Sequence, residues 1–328
     1  MQIEQLMKSL TIYFDDIQEG LWFKNLHPLL ESASLEAITG SLKRNPNLAD
    51  VLKYDRPDII LTLNQTPILV IERTIEVPSG HNVGQRYGRL AAASEAGVPL
   101  VYFGPYAARK HGGATEGPRY MNLRLFYALD VMQKVNGSAI TTINWPVDQN
   151  FEILQDPSKD KRMKEYLEMF FDNLLKYGIA GINLAIRNSS FQAEQLAERE
   201  KFVETMITNP EQYDVPPDSV QILNAERFFN ELGISENKRI ICDEVVLYQV
   251  GMTYVRSDPY TGMALLYKYL YILGSERNRC LILKFPNITT DMWKKVAFGS
   301  RERKDVRIYR SVSDGILFAD GYLSKEEL

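Results

Sequence analysis

Two short apolar runs at 58–63 and 67–77 are separated only by Asn64, Gln65 and Thr66, and a helical pattern at 83–95 and a third apolar run at 98–103 follow them. Runs this short, bounded by turn residues, predict strands, and the tight connection makes the first two an antiparallel hairpin. The stretch Val77, Pro78, Ser79, Gly80, His81, Asn82 then turns the chain into the helix. The order strand, strand, turn, helix, strand predicts the α/β class, with a mixed central sheet flanked by helices.

The rest of the chain is read around that core. The first fifty residues carry helical apolar spacing, broken by Asn45, Pro46 and Asn47, and predict a helical layer ahead of the first strand. A charged stretch at 155–164 opens a further helical region. The polar, proline-containing stretch 209–217 reads as a linker or long loop, dividing a core with its N-terminal helical layer at 1–208 from a second α/β region at 209–328. That region repeats a strand, helix, strand order: a strand at 245–255, a helix opened by Asp258 as N-cap and Pro259, and a strand at 279–285. A duplicated, partly degenerate core is compatible with this order.

Composition excludes several classes. With 45% hydrophobic residues in 328, the chain can bury a substantial core and is not disordered. Cys242 and Cys280 are too few for a disulfide framework and read as ordinary buried thiols of a reducing compartment, while His27, His81 and His111 are too dispersed for a zinc cluster. No run approaches the roughly 18 apolar residues that span a bilayer, and acidic residues interrupt the N-terminus before a signal-like segment forms, so a cytoplasmic protein with no membrane partner is expected. No Walker or dinucleotide fingerprint is present, so no nucleotide cofactor is expected. The net charge of -4 argues against a protein that coats nucleic acid non-specifically, but Lys294, Lys295, Arg301, Arg303, Lys304, Arg307 and Arg310 stand against only Glu302 and Asp305 in one segment. That segment is either a solvated face or a phosphate-tracking surface.

Chemistry concentrates between Pro57 and Arg89. Asp58 opens one strand and Glu72 lies inside the next among apolar neighbours, where a carboxylate is costly to bury unless paired or bound to a cation. Two carboxylates on adjoining strands repel each other, and a hard divalent ion relieves this; magnesium would also activate water for attack on a phosphodiester. Period-two geometry places Glu72, Thr74 and Glu76 on one face, with Arg73 and Ile75 on the other, making Glu76 a further candidate ligand. On the helix, Gln85 is suited to orient water or a carboxylate, and Arg86 and Arg89 to hold phosphate. His81 and Asn82 are candidate contacts to nucleic acid from the turn. The competing structural reading pairs Glu72 with Arg86 or Arg89 as a salt bridge.

These residues resemble the PD-(D/E)xK nuclease superfamily, which includes many type II restriction endonucleases. Pro57 and Asp58 match the PD element and Glu72 the acidic residue of the next strand, while Gln85 with Tyr87 nearby looks like the helical element of the exonuclease branch. The resemblance covers roughly residues 20–105 and departs at Thr74, where the family carries a lysine; Arg73, Arg86 or Lys110 are candidate replacements for its charge. It implies a restriction-endonuclease-like core and a magnesium-dependent endonuclease cutting double-stranded DNA as a homodimer, in a restriction or defence system. Asp58, Glu72 and Glu76 would hold magnesium, with Gln85 in the water network. Arg86, Arg89, Arg301, Arg303, Lys304 and Arg307 would contact phosphate, and the C-terminal region would serve target recognition or dimerisation. The rival reading is a non-catalytic nucleic-acid-binding protein retaining a decayed nuclease core, with the missing lysine as its chief support.

Overall fold

The computed structural model describes residues 9–78, 82–112, 116–206, 209–251, 258–298 and 303–328. The chain is α/β with mixed sheets and divides into two units: 1–79, 89–122 and 132–209 form the first, and 80–88, 123–131 and 210–328 the second. The boundary read from sequence as 208/209 is thus supplemented by two short segments that belong to the second unit.

In the first unit, β1 (Leu10–Phe14), α1 (Ile17–Lys24), β2 (Ser34–Ala37), β3 (Ile59–Leu63), β4 (Thr66–Arg73), the helix α2 (Asn82–Glu95), β5 (Leu100–Gly104), a small hairpin β6 (Ala107–Lys110) and β7 (Gly117–Tyr120), α3 (Leu123–Asn136) and β8 (Ile140–Asn144) follow in order. Both α2 and α3 are shared between the units, α2 passing from the second to the first at residue 89. The sheet runs β2-β1-β3-β4-β5-β8. Strands β3 and β4 form the expected antiparallel hairpin through Asn64 and Gln65, both at positive φ, and β4, β5 and β8 run parallel.

The expected N-terminal helical layer is not what forms. β1 lies inside the sheet, parallel to β2 and antiparallel to β3, and among the described residues before residue 50 only α1 is α-helical. Leu10 and Ile12 are buried with the hairpin residues Ile59, Leu61 and Leu63, so tertiary pairing overrides the local apolar spacing.

One face of the sheet, carrying Ile59, Ile71, Val101, Phe103 and Ile143, packs on α4 (Lys161–Arg187) and on Phe191 of α5 (Ser190–Thr205). α4 is broken at Gly178, whose φ of 65° is a left-handed conformation that glycine adopts without steric cost. Ile60, Val70, Leu100 and Tyr102 point to the other face and are fully buried too, which is why these strands read as continuous apolar runs rather than alternating ones.

The second unit contains β9 (Val220–Asn224), α6 (Ala225–Glu231), β10 (Glu244–Gln249), α7 (Asp258–Tyr267), β11 (Arg279–Phe285), α8 (Thr290–Ala297), α9 (Lys304–Val312), β12 (Gly315–Phe318) and β13 (Gly321–Ser324). β10 ends at Gln249, and residues 252–255 of the strand read from sequence lie outside the described residues; α7 is described from Asp258, and the linker stretch includes a short 3-10 turn at Pro210–Tyr213. The sheet order is β13-β12-β11-β10-β9, with β9 antiparallel to β10, and β10, β11 and β12 parallel. One antiparallel strand followed by three parallel ones joined through helices is also the pattern of β3, β4, β5 and β8, so the two units share a core topology. Within the second unit, Gly84 of α2 and Gly262 of α7 meet backbone to backbone: a Cβ on Gly262 would stand 1.7 Å from the Gly84 carbonyl oxygen. Among the described residues no helix is long and apolar enough to cross a membrane.

Candidate functional site

The site follows from strand register. Ile59 pairs with Ile71 in the antiparallel ladder, so one further step brings Asp58 opposite Glu72, and Glu72 pairs in turn with Tyr102 of β5. On the other side Phe14 pairs with Ile59, and the Asp15 amide donates to the Asp58 carbonyl at 2.9 Å. The two carboxylates therefore lie in one row across the sheet, at the edge where β1, β4, β5 and β8 end, which is where open α/β sheets place ligand sites.

Both are buried, Asp58 at 7% and Glu72 at 0% exposure, and one side chain reaches both. Arg89, on the part of α2 that belongs to the first unit, places Nη1 at 2.9 Å from Glu72 Oε1 and 3.3 Å from Asp58 Oδ1, with Nε at 3.7 Å from Asp55 Oδ2. Burial alone would pull the Arg89 guanidinium's pKa down, but the Glu72, Asp58 and Asp55 carboxylates outweigh it and hold it above the ordinary arginine range. The second Asp58 oxygen accepts the Arg73 amide at 2.7 Å, which fixes the carboxylate to the end of β4.

Arg73 itself leaves this face. Its guanidinium lies 4.4 Å over the Trp22 ring and 5.3 Å over Trp145, with Trp22 stacked on Phe103. Cation–π contact holds it there. Lys110 is exposed on β6. Among the described cations of the first unit, Arg89 lies against the carboxylates, a residue that sequence reading offered either as a phosphate contact or as a salt-bridge partner of Glu72.

The strand-phase argument for Glu76 does not hold. β4 ends at Arg73, and the Thr74 hydroxyl accepts the Glu76 amide at 3.1 Å and donates to the Glu76 carbonyl at 3.0 Å, folding 74–76 into a turn that leaves the Glu76 side chain exposed. This local side-chain-to-backbone pairing competes with the ladder. Thr74 is thereby committed to the turn and to β5, its amide donating to the Phe103 carbonyl at 2.9 Å. Only glycine fits at 104 beside it, since a Cβ there would lie 2.6 Å from Thr74 Cγ2 and 2.9 Å from the Tyr102 hydroxyl.

Gln85 and Arg86 are half-buried on the first turns of α2, within the second unit, where the fully buried Tyr87 ring sits 5.8 Å from Tyr269. Asn82 begins α2; His81 and Arg301 lie outside the described residues. Arg303, Lys304 and Arg307 are exposed on or just before α9, together with Lys294 and Lys295 on α8, and Arg303 pairs with the buried Asp305 at 3.2 Å.

Sequence reading missed Glu19. Asp16 caps α1 by accepting the Gln18 amide, and Gly20 packs so closely on Phe14 that a Cβ would stand 2.9 Å from its ring; this brings α1 down on the end of β1 and Glu19 into the field of Asp58. Burial, then the Asp58 carboxylate, push the Glu19 carboxyl up to about 7, against the lowering effect of Arg73. The acidic string Asp15, Asp16, Glu19 was visible, but its distance from Asp58 in sequence hid the link. Because the unfolded carboxyl titrates near its ordinary 4.5, the folded chain keeps a proton between these values that the unfolded chain has lost. Stability should therefore fall as pH rises from about 4.5 to about 7 and level off above. Urea titrations across that range should show Glu19→Gln flattening the slope and stabilising the protein at high pH by about 1 kcal/mol, since partial exposure screens most of the shift.

Comparison of the chain with family models, with curated proteins and with solved structures finds no match.

Proposed function

We propose that the chain is a magnesium-dependent endonuclease of the PD-(D/E)xK kind, hydrolysing phosphodiester bonds of double-stranded DNA. One observation carries the reading: Asp58 and Glu72, on neighbouring strands, turn carboxylate oxygens toward a single guanidinium nitrogen at 3.3 and 2.9 Å. Two buried carboxylates directed at one point of positive charge suit a hard cation, and magnesium commonly takes only one or two protein carboxylates and keeps its waters. Among the described residues no three His, Cys, Asp or Glu side chains gather into a full ligand set, so Asp58 and Glu72 would hold the ion with water completing its shell. When bound, it would supply an activated water and neutralise charge on the phosphate.

The remaining roles belong to the chain. Arg89 supplies the positive charge that Thr74 lacks, first against the carboxylates and then, with the ion present, toward a phosphate oxygen. The Arg73 amide orients Asp58. Arg303, at the N-cap of α9, and Lys304 and Arg307 on it are exposed, while the helix's other face, Val306, Ile308 and Tyr309, is buried, and they suit tracking along phosphates. Neutralising the three together should weaken binding to every duplex sequence and reduce the slope of log affinity against log salt by about 2.7. An unchanged slope in salt-dependent binding measurements would make that helix a solvated face.

A homodimer in a cytoplasmic restriction or defence system is the setting that the proposed kinship suggests. The rival, a nucleic-acid-binding protein with a decayed nuclease core, draws on the same Arg89 bridge read as a permanent salt bridge. Incubating plasmid DNA with the protein, with magnesium or with chelator, separates them: metal-dependent nicking or linearisation supports the nuclease, and binding without cleavage across divalent ions supports the rival.

A further inference from the structure

A second cluster, independent of the carboxylates, lies at the start of β10 and β11 in the second unit. Cys242 precedes β10 by one residue beyond Asp243, and Cys280 is the second residue of β11. Their sulfurs stand 3.2 Å apart. Cys280 is buried at 2% exposure among Phe228, Phe229, Val245 and Ile282, whereas Cys242 is half-buried at the rim of the same cluster. The two thiols are thus in contact, and Cys242 is the better placed to meet a solute. The Cys280 thiol, hydrogen-bonded to it, favours ionisation of Cys242 and lowers its pKa, while that same interaction and burial push Cys280 upward. Tyr322 packs in this cluster too, about nine-tenths buried and with no hydrogen-bond partner for its hydroxyl among the described residues, and Cys280 and Asp314 are its foremost electrostatic neighbours.

We propose that Cys242 and Cys280 form a reversible oxidation site in which Cys242 is the peroxide-reactive sulfur and Cys280 the resolving one. The Cys242 thiolate attacks the distal oxygen of a hydroperoxide; the O–O bond breaks, the alcohol or water leaves with a proton from solvent, and Cys242 becomes a sulfenic acid. The Cys280 sulfur then attacks the Cys242 sulfur, its proton leaves with the sulfenic hydroxyl as water, and an S–S bond forms. Two thiols lose two electrons and the peroxide gains them; a dithiol reductant reverses the link by exchange. The closed ring spans 38 positions, encloses β10 and α7 and closes on the second residue of β11, so oxidation ties the crossover of the second sheet at its base.

Brief treatment of the full chain with hydrogen peroxide, followed by alkylation and intact-mass analysis, tests this. The expected result is loss of two hydrogens, loss of both alkylatable thiols, and a monomeric link that dithiothreitol removes. The thermal midpoint should rise by about 5 °C and fall back on reduction. Cys280→Ala should instead accumulate a Cys242 sulfenic acid trapped by dimedone, and Cys242→Ser, a change at the half-buried position, should leave Cys280 unreacted. Two alkylatable thiols after peroxide, or a dimedone adduct on Cys242 as abundant in the wild type as in Cys280→Ala, would overturn the proposal.

Discussion

Glu72→Gln and Asp58→Ala are each expected to reduce magnesium-dependent cleavage on the order of a thousandfold, measured as nicking of supercoiled plasmid at saturating metal. Glutamine keeps the shape of Glu72 and its place opposite Asp58 and Tyr102, but it removes the charge that would hold the ion. The fold should persist in both variants. Asp58→Ala frees the Arg73 amide of its 2.7 Å partner, yet Arg89 keeps Glu72 at 2.9 Å, so the buried charge that matters most for stability stays paired. Circular dichroism and a cooperative melt should match those of the wild type to within about 1–2 kcal/mol. Wild-type cleavage in either variant would remove these carboxylates from the mechanism.

Arg89→Ala is expected to have the largest effect on stability. It removes from Glu72, at 0% exposure, the guanidinium that bridges it to Asp58, and taking one partner from a buried ion pair costs about 3–5 kcal/mol. The metal hypothesis makes this loss conditional. If Asp58 and Glu72 bind magnesium, millimolar magnesium should restore a large part of the lost stability of Arg89→Ala while raising the wild type less, because in the wild type the ion must displace the guanidinium. A denaturant titration with and without magnesium reads both. Adding Glu72→Gln to Arg89→Ala should recover stability without metal, and it should abolish the magnesium response. Equal magnesium responses in wild type and Arg89→Ala would identify the bridge as a structural salt bridge and favour the binding-only reading.

The parts of this architecture that could be read from sequence are those set by short-range pattern. The β3–β4 hairpin, the helix at 82–95 and the strand at 279–285 each stand where apolar runs and turn residues put them. β1 escaped notice because its five residues pair with β2 and β3 across the sheet, and such pairing leaves no local periodicity. Glu76 was misplaced because alternation was carried three residues beyond Arg73, where β4 ends and the Thr74 hydroxyl captures the backbone. Several cations lay within reach of the carboxylates in sequence, and only the turn of α2 singles out Arg89 while cation–π contact draws Arg73 to the opposite face. Glu19 joins the site through a helix docked by a glycine, a relation with no signature in spacing.

The packing of Arg73 has an optical consequence. Of the chain's three tryptophans, Trp22 and Trp145 flank the side chain whose own amide grips Asp58, while Trp293 is buried in the second unit. Indole emission responds to a charge held against the ring, so two of the chain's fluorophores already view the carboxylate edge from behind. A Trp293→Phe protein, excited selectively at its indoles, would carry tryptophan emission from that edge alone, through which ion or DNA binding is followed without any attached dye.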